Sequence, residues 1–142
     1  MIGETATLLR RLLQVGRVVV FCFHRDGEGR VAYESVESDS YSIFGSSEPI
    51  DSLENYSAIC MDGQVRSVPE IAPTVMSRYG RSRTHKPPAR ASLVAPINAE
   101  KRLWGLLIAQ DFQAPKLWSA QDVEMMEQSV QVLSEEPSIH AA

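Results

Sequence analysis

The hydrophobic pattern is densest in Ala91–Gln110, ASLVAPINAEKRLWGLLIAQ. Two apolar runs, Ala91–Ile97 and Leu103–Ala109, flank the polar, turn-forming Asn98–Arg102, so the pattern predicts an antiparallel hairpin. Both runs are apolar almost throughout rather than alternating, which suits central strands covered on both faces. Gly105 follows Trp104 inside the second run, where a missing side chain lets a bulky group or a backbone come close.

The remaining segments supply the covering layers. Thr5–Gln14 places Leu8, Leu9, Leu12 and Leu13 on one side and Arg10, Arg11 and Gln14 on the other, a short amphipathic helix ended by Gly16. Val18–His24 reads as a buried strand, Asp26–Gly29 as a turn and Arg30–Val36 as the returning strand. Asp39–Tyr56, rich in Ser, Gly and Pro, reads as a loop with one helical turn. Ser57–Met61 and Gln64–Val68 are short strands about the Asp62-Gly63 turn, and Pro69 breaks the ladder. Ile71–Tyr79 forms a short helix, and Gly80–Arg90 a polar, basic loop. Ser119 opens the clearest helix: its hydroxyl can cap the Asp122 amide, and Val123, Met126, Val130 and Leu133 recur at helical spacing until Pro137. The whole predicts one α+β domain over residues 1–142: an antiparallel sheet of five or six strands, terminal helices on one face and a loop-and-helix region on the other.

Composition narrows the function classes. A net charge of −4 over 142 residues gives no general reason to expect nucleic acid. No apolar run approaches the ~20 residues of a membrane span. The N-terminus lacks a basic region ahead of an apolar core, so it is not a secretory signal. Two cysteines, Cys22 and Cys60, do not make a disulfide framework, and a reducing cytoplasm is the expected location.

Two stretches carry a family resemblance. Val18–Val36, VVVFCFHRDGEGRVAYESV, resembles the opening hairpin of GAF domains of the phytochrome and cyanobacteriochrome type. Ala91–Leu133 resembles their central hairpin with its Leu-Trp-Gly-Leu-Leu strand, the loop carrying Pro115, Lys116 and Trp118, and the final helix. The resemblance implies a six-stranded antiparallel sheet, a ligand pocket on one face and a helix-mediated dimer on the other. Bilin-binding members carry a Cys-His pair upstream of the segment matching Arg90-Ala91; here that neighbourhood is Ser77-Arg78-Tyr79-Gly80-Arg81. The aspartate that meets the pyrrole nitrogens aligns with Glu70, and the histidine after the Leu-Leu-Ile-Ala strand is Gln110. These departures argue against a covalently bound bilin and leave a noncovalent tetrapyrrole as an alternative.

Cys22, between Phe21 and Phe23, reads first as a small buried hydrophobe. The resemblance extends to chloroplast-sensor-kinase-like cyanobacterial kinases, whose GAF domain carries an early cysteine implicated in quinone redox sensing or an iron–sulfur cluster. That implies a redox or cluster role for Cys22 within a homodimer. Arg78, Arg81, Arg83, His85, Lys86 and Arg90 form a basic cluster that is either solvated or a clamp for carboxylate or phosphate. Glu70, Tyr79, Arg81, His85, Arg90 and Gln110 are the ligand-pocket candidates. No phosphate loop, nucleophile elbow or paired zinc spacing occurs, and the two cysteines do not supply the three of GAF-fold methionine sulfoxide reductases. The expected function is a non-catalytic input domain of a two-component sensor kinase, sensing redox state or a small ligand through a parallel homodimer of the terminal helices. A stand-alone module for dimerisation or protein docking is the alternative.

Overall fold

The structure, a computed structural model, describes residues 2–23, 29–42, 65–68, 90–99 and 102–135. Along the chain these form α1 (Ile2–Leu13), β1 (Arg17–Phe23), β2 (Gly29–Val36), a 3-10 turn (Asp39–Tyr41), β3 (Arg66–Val68), β4 (Ala91–Ala99), β5 (Arg102–Asp111) and α2 (Ala120–Ser134). The strands make one sheet in the order β2-β1-β5-β4-β3, with every neighbouring pair antiparallel. The two apolar runs of the predicted hairpin become β4 and β5, and β5 is the middle strand. Their pairing runs on to Ala99 and Arg102, so the turn is tighter than the polar segment suggested. The expected sixth strand at Ser57–Met61 and helix at Ile71–Tyr79 lie outside the described residues. β3 pairs with β4 through Arg66↔Val94 and Val68↔Ser92.

The sheet separates two apolar layers. On one side Val18, Val20, Leu93, Ala95, Ile97, Leu107 and Ala109 pack with Ile2, Ala6, Leu9 and Leu13 of α1 and Met126 and Leu133 of α2. On the other lie Val19, Phe21, Val31, Val94, Leu106 and Ile108, with Phe23 against them. Successive residues of β1 and β5 therefore feed opposite layers, which is why neither strand alternates with polar residues. Each fully buried aliphatic side chain contributes about 1.5–3 kcal/mol relative to exposure.

Two irregularities adjust this alternation. In β5, Gly105 faces Ile97 while Leu103 faces Asn98, leaving Trp104 as an extra residue. That bulge turns Trp104 into the helix-side core, although Leu106 and Ile108 of the same parity face the other way. In β2, Ala32 is the extra residue between Val31 and Tyr33. Gly105 meets the expectation of a close backbone approach, since a Cβ there would fall 1.9 Å from the Phe21 carbonyl oxygen.

The helix ends follow local chemistry. α1 stops at Leu13, with Gln14 in the left-handed region at φ 57°, rather than at Gly16. Gly16 serves packing instead: a Cβ there would lie 2.9 Å from the Phe112 ring and 3.0 Å from the Tyr41 ring. Lys116 Nζ donates to the Leu13 carbonyl at 2.6 Å, satisfying one of the acceptors a helix end leaves open. Ser119 caps α2 as its sequence indicated. Its Oγ accepts from the Asp122 amide, and the Ser119 amide donates to Asp122 Oδ2, both at 3.0 Å. The four leucines of α1 divide: Leu9 and Leu13 are buried, whereas Leu8 and Leu12 are exposed.

Candidate functional site

The sheet face turned away from the helices is apolar along most of its length and polar at one end. Register places Val36, Arg17, Gln110, Ser92 and Val68 in one row across the five strands. The next row is Glu34, Val19, Ile108, Val94 and Arg66. Beyond it come Phe21 and Leu106, then Phe23. Polar groups thus gather at one end of this face, and aliphatic and aromatic carbon makes up the rest.

Arg17 organises the polar end. It is 8% exposed, and its Nε donates to Gln110 Oε1 at 2.9 Å. Nη2 donates to the same oxygen, and Nη1 to the Tyr41 carbonyl at 2.7 Å. The guanidinium also lies over the Phe112 ring, 4.8 Å from its centroid. Phe112 in turn stacks on Tyr41 with centroids 4.1 Å apart and planes 6° from parallel. The start of β1, the turn after β2 and the exit of β5 are thus joined in one cluster. Because arginine offers only donors, its contacts identify the Gln110 atom they reach as the amide oxygen. The Gln110 Nε2 group is then a further donor of the same row.

Next to Gln110 in register stands Ser92, which is 0% exposed and whose Oγ has no hydrogen-bond partner. Arg90 immediately precedes β4, anchored by its amide to the Asp111 carbonyl at 2.7 Å. Its buried Nε also has no partner. Buried polar atoms are nearly always paired, so two unpartnered donors within three residues of chain are unusual.

The structure thus brings together two of the ligand-pocket candidates, Arg90 and Gln110. Glu70, Tyr79, Arg81 and His85 lie outside the described residues, as do Arg78, Arg83 and Lys86 of the basic cluster. Cys22 falls on the opposite face, half-buried against the helix-side core and facing Gly105 across the β1–β5 ladder. Among the described residues no group of three His, Cys, Asp or Glu side chains could hold a metal ion. Trp104 is a core residue, and Trp118 packs half-buried with Lys116 Nζ 5.5 Å from its ring centroid.

Sequence reasoning did not single out Arg17, Ser92, Tyr41 or Phe112. The available signal was Ser92 itself, a hydroxyl inside a run whose two faces are both expected to be dry. For Arg17 the signal was a charge at the first position of a buried strand.

Comparison with known proteins adds four findings. A model of the GAF domain matches residues 2–136. An uncharacterized protein of Picosynechococcus sp. is 32% identical over 123 residues, covering 86% of this chain and 75% of that protein. The circadian input-output histidine kinase CikA of Synechocystis sp. is 27% identical over 143 residues, covering 82% of this chain and 19% of the kinase. Among solved structures, the photoproduct state of GAF3 from Slr1393 of Synechocystis sp. superposes with a TM-score of 0.73 at 24% identity, covering 99% of this chain and 91% of that one. No helix among the described residues is long and apolar enough to cross a membrane.

Proposed function

The chain belongs to the GAF domain family, and from that premise we propose that it senses a small molecule with an anionic head and an apolar body, held on the sheet face opposite the helices. The observation that carries this reading is the unpartnered pair, Ser92 Oγ and Arg90 Nε. Both are donors, and a buried donor left unpaired costs about 1–3 kcal/mol. An acceptor oxygen recovers that cost, and a guanidinium and a hydroxyl two residues apart in the chain are donors suited to a carboxylate or phosphate. Gln110 Nε2 adds a third donor, its amide held in orientation by Arg17. Val19, Phe21, Val94, Leu106 and Ile108 supply an apolar wall for the body of the ligand. A linear tetrapyrrole, with its propionate groups, is the large member of this ligand class, bound without a covalent link. The likeness to a histidine kinase supports a place as an input domain whose occupancy biases an attached or partner output.

Thermal unfolding with octanoate and with octanamide, matched in chain length but not in charge, tests the reading. Octanoate is expected to raise Tm and octanamide to leave it unchanged, and Ser92→Ala or Arg90→Gln to remove the shift. Equal stabilisation by both compounds, or an octanoate shift that survives both substitutions, contradicts it.

A further inference from the structure

An arginine beside an anion site ordinarily meets the anion itself, since its fork of donors matches a carboxylate or phosphate. Arg17 is placed otherwise. It opens β1, is 8% exposed, and turns its nitrogens to acceptors of its own chain. Nε and Nη2 both donate to Gln110 Oε1, and Nη1 donates to the Tyr41 carbonyl. The guanidinium lies over the Phe112 ring, and Tyr41 stacks on that ring with centroids 4.1 Å apart. The missing side chain of Gly16 lets both rings close in, because a Cβ there would lie 2.9 Å from Phe112 and 3.0 Å from Tyr41. Swinging Arg17 out towards a ligand would break three hydrogen bonds and this stacking together.

We propose that Arg17 is a positioning residue that sets the polarity of the site through the Gln110 amide, so that the face selects a head group made only of acceptors over one carrying donors; this rests on the ligand reading above. Gln110 stands between Arg17 of β1 and Ser92 of β4 in one cross-strand row. Its amide has one oxygen acceptor and two N–H donors, and an unrestrained amide can present either side. With two guanidinium donors on Oε1, a reversed amide would set its own N–H groups against them and lose both charge-assisted bonds. Arg17 thereby takes up the acceptor that stands next to Ser92 in register, in keeping with a Ser92 Oγ that is buried without a partner. The amide group left for a ligand is NH2, which joins Ser92 Oγ and Arg90 Nε as donors. A carboxylate or phosphate matches three donors. A primary amide must set its own NH2 against one of them, so it is rejected by an unpaired donor rather than by its size.

Titration calorimetry of octanoate and octanamide with the unmodified chain, Arg17→Met and Gln110→Glu tests this. The unmodified protein should favour octanoate by ~10-fold or more. Arg17→Met keeps an aliphatic stem over Phe112 and removes every donor. Octanoate should then bind ~10-fold more weakly and octanamide ~3–10-fold more tightly, because the freed Gln110 amide can offer its oxygen. The gain for octanamide is the deciding readout, since neither a lost charge nor a loosened fold would produce it. Gln110→Glu keeps an acceptor of the same shape for Arg17 and puts an oxygen where the NH2 stood. It should weaken octanoate ~10-fold or more and leave octanamide bound at least as well as before. An octanoate preference that survives either substitution, or octanamide that does not tighten on a folded Arg17→Met, overturns the proposal and leaves the ligand reading standing. If Arg17→Met does not fold, the preference of Gln110→Glu decides alone. Equal binding of both compounds by the unmodified protein overturns the proposal and the ligand reading together.

Discussion

A methyl group on residue 105 would sit 1.9 Å from the Phe21 carbonyl oxygen and 3.0 Å from Cys22 Cα. Neither neighbour can yield, because both are backbone of a central strand. Gly105→Ala should therefore destabilise the protein by ~3 kcal/mol or more, read from urea unfolding. A loss below ~1 kcal/mol would mean that β1 and β5 can separate locally. This constraint was legible beforehand, since a glycine inside a buried strand weakens it unless a close backbone approach requires the missing side chain. The polar end of the proposed ligand face was only half legible. Gln110 stood out by resemblance and Arg90 by its charge cluster, but a serine in an apolar run looks tolerable until its Oγ proves buried and unpartnered. In the GAF domains that the sequence resembles, covalent bilin attachment is expected to need a Cys-His pair, and the matching stretch of this sequence reads Tyr79-Gly80. Co-expression with bilin synthesis should give no zinc-dependent fluorescence in the denatured protein band; a fluorescent band would show a thioether link elsewhere. A cluster on Cys22 makes a separate demand: anaerobic reconstitution must yield iron and sulfide that Cys22→Ser removes.

At the scale of elements, α2 is the part most fully written in its sequence. Ser119, Asp122 and the recurring apolar positions each specify the same start and the same buried side, and the capping box and burial of Met126 and Leu133 agree with them. α1 was less legible because four leucines in two adjacent pairs span both a sheet-facing and an outward stripe. Only contact with β1, β2 and α2 decides that Leu9 and Leu13 go inward. The bulge at Trp104 was hidden for a similar reason: alternation gives the face of a residue only while the register holds. The junction of α1 with the segment before α2 rests on Lys116, which caps the Leu13 carbonyl and lies near the Trp118 ring. Lys116→Met keeps the aliphatic stem and removes both polar contacts, so a loss of ~1–2 kcal/mol in chemical denaturation is expected. No change would indicate that water caps Leu13 equally well.

At the scale of the molecule, one sheet carries two apolar layers, to which the proposed function gives different duties, and β5 shows the division most sharply. Leu106 and Leu107 are neighbours in sequence, and both are 0% exposed. Leu106 belongs to the layer opposite the helices, the proposed ligand face, and Leu107 to the helix-side core. Truncating either to alanine should cost ~2–5 kcal/mol through lost burial and a residual cavity, a large share of the ~5–15 kcal/mol that holds a domain folded. Stability alone would therefore not distinguish them. Function should, because the two cavities open on opposite sides of the sheet. Leu107→Ala is expected to keep the affinity of its folded fraction for octanoate. Leu106→Ala should change that affinity, or shift the preferred chain length towards longer carboxylates that fill the space. The comparison is to be made by titration calorimetry at a temperature where both variants are folded. If the substitutions alter binding equally, the two layers are coupled through the sheet and the ligand face cannot be assigned to one of them. If only Leu107→Ala alters it, the carboxylate lies among the helices, and Ser92 and Arg90 are not its partners.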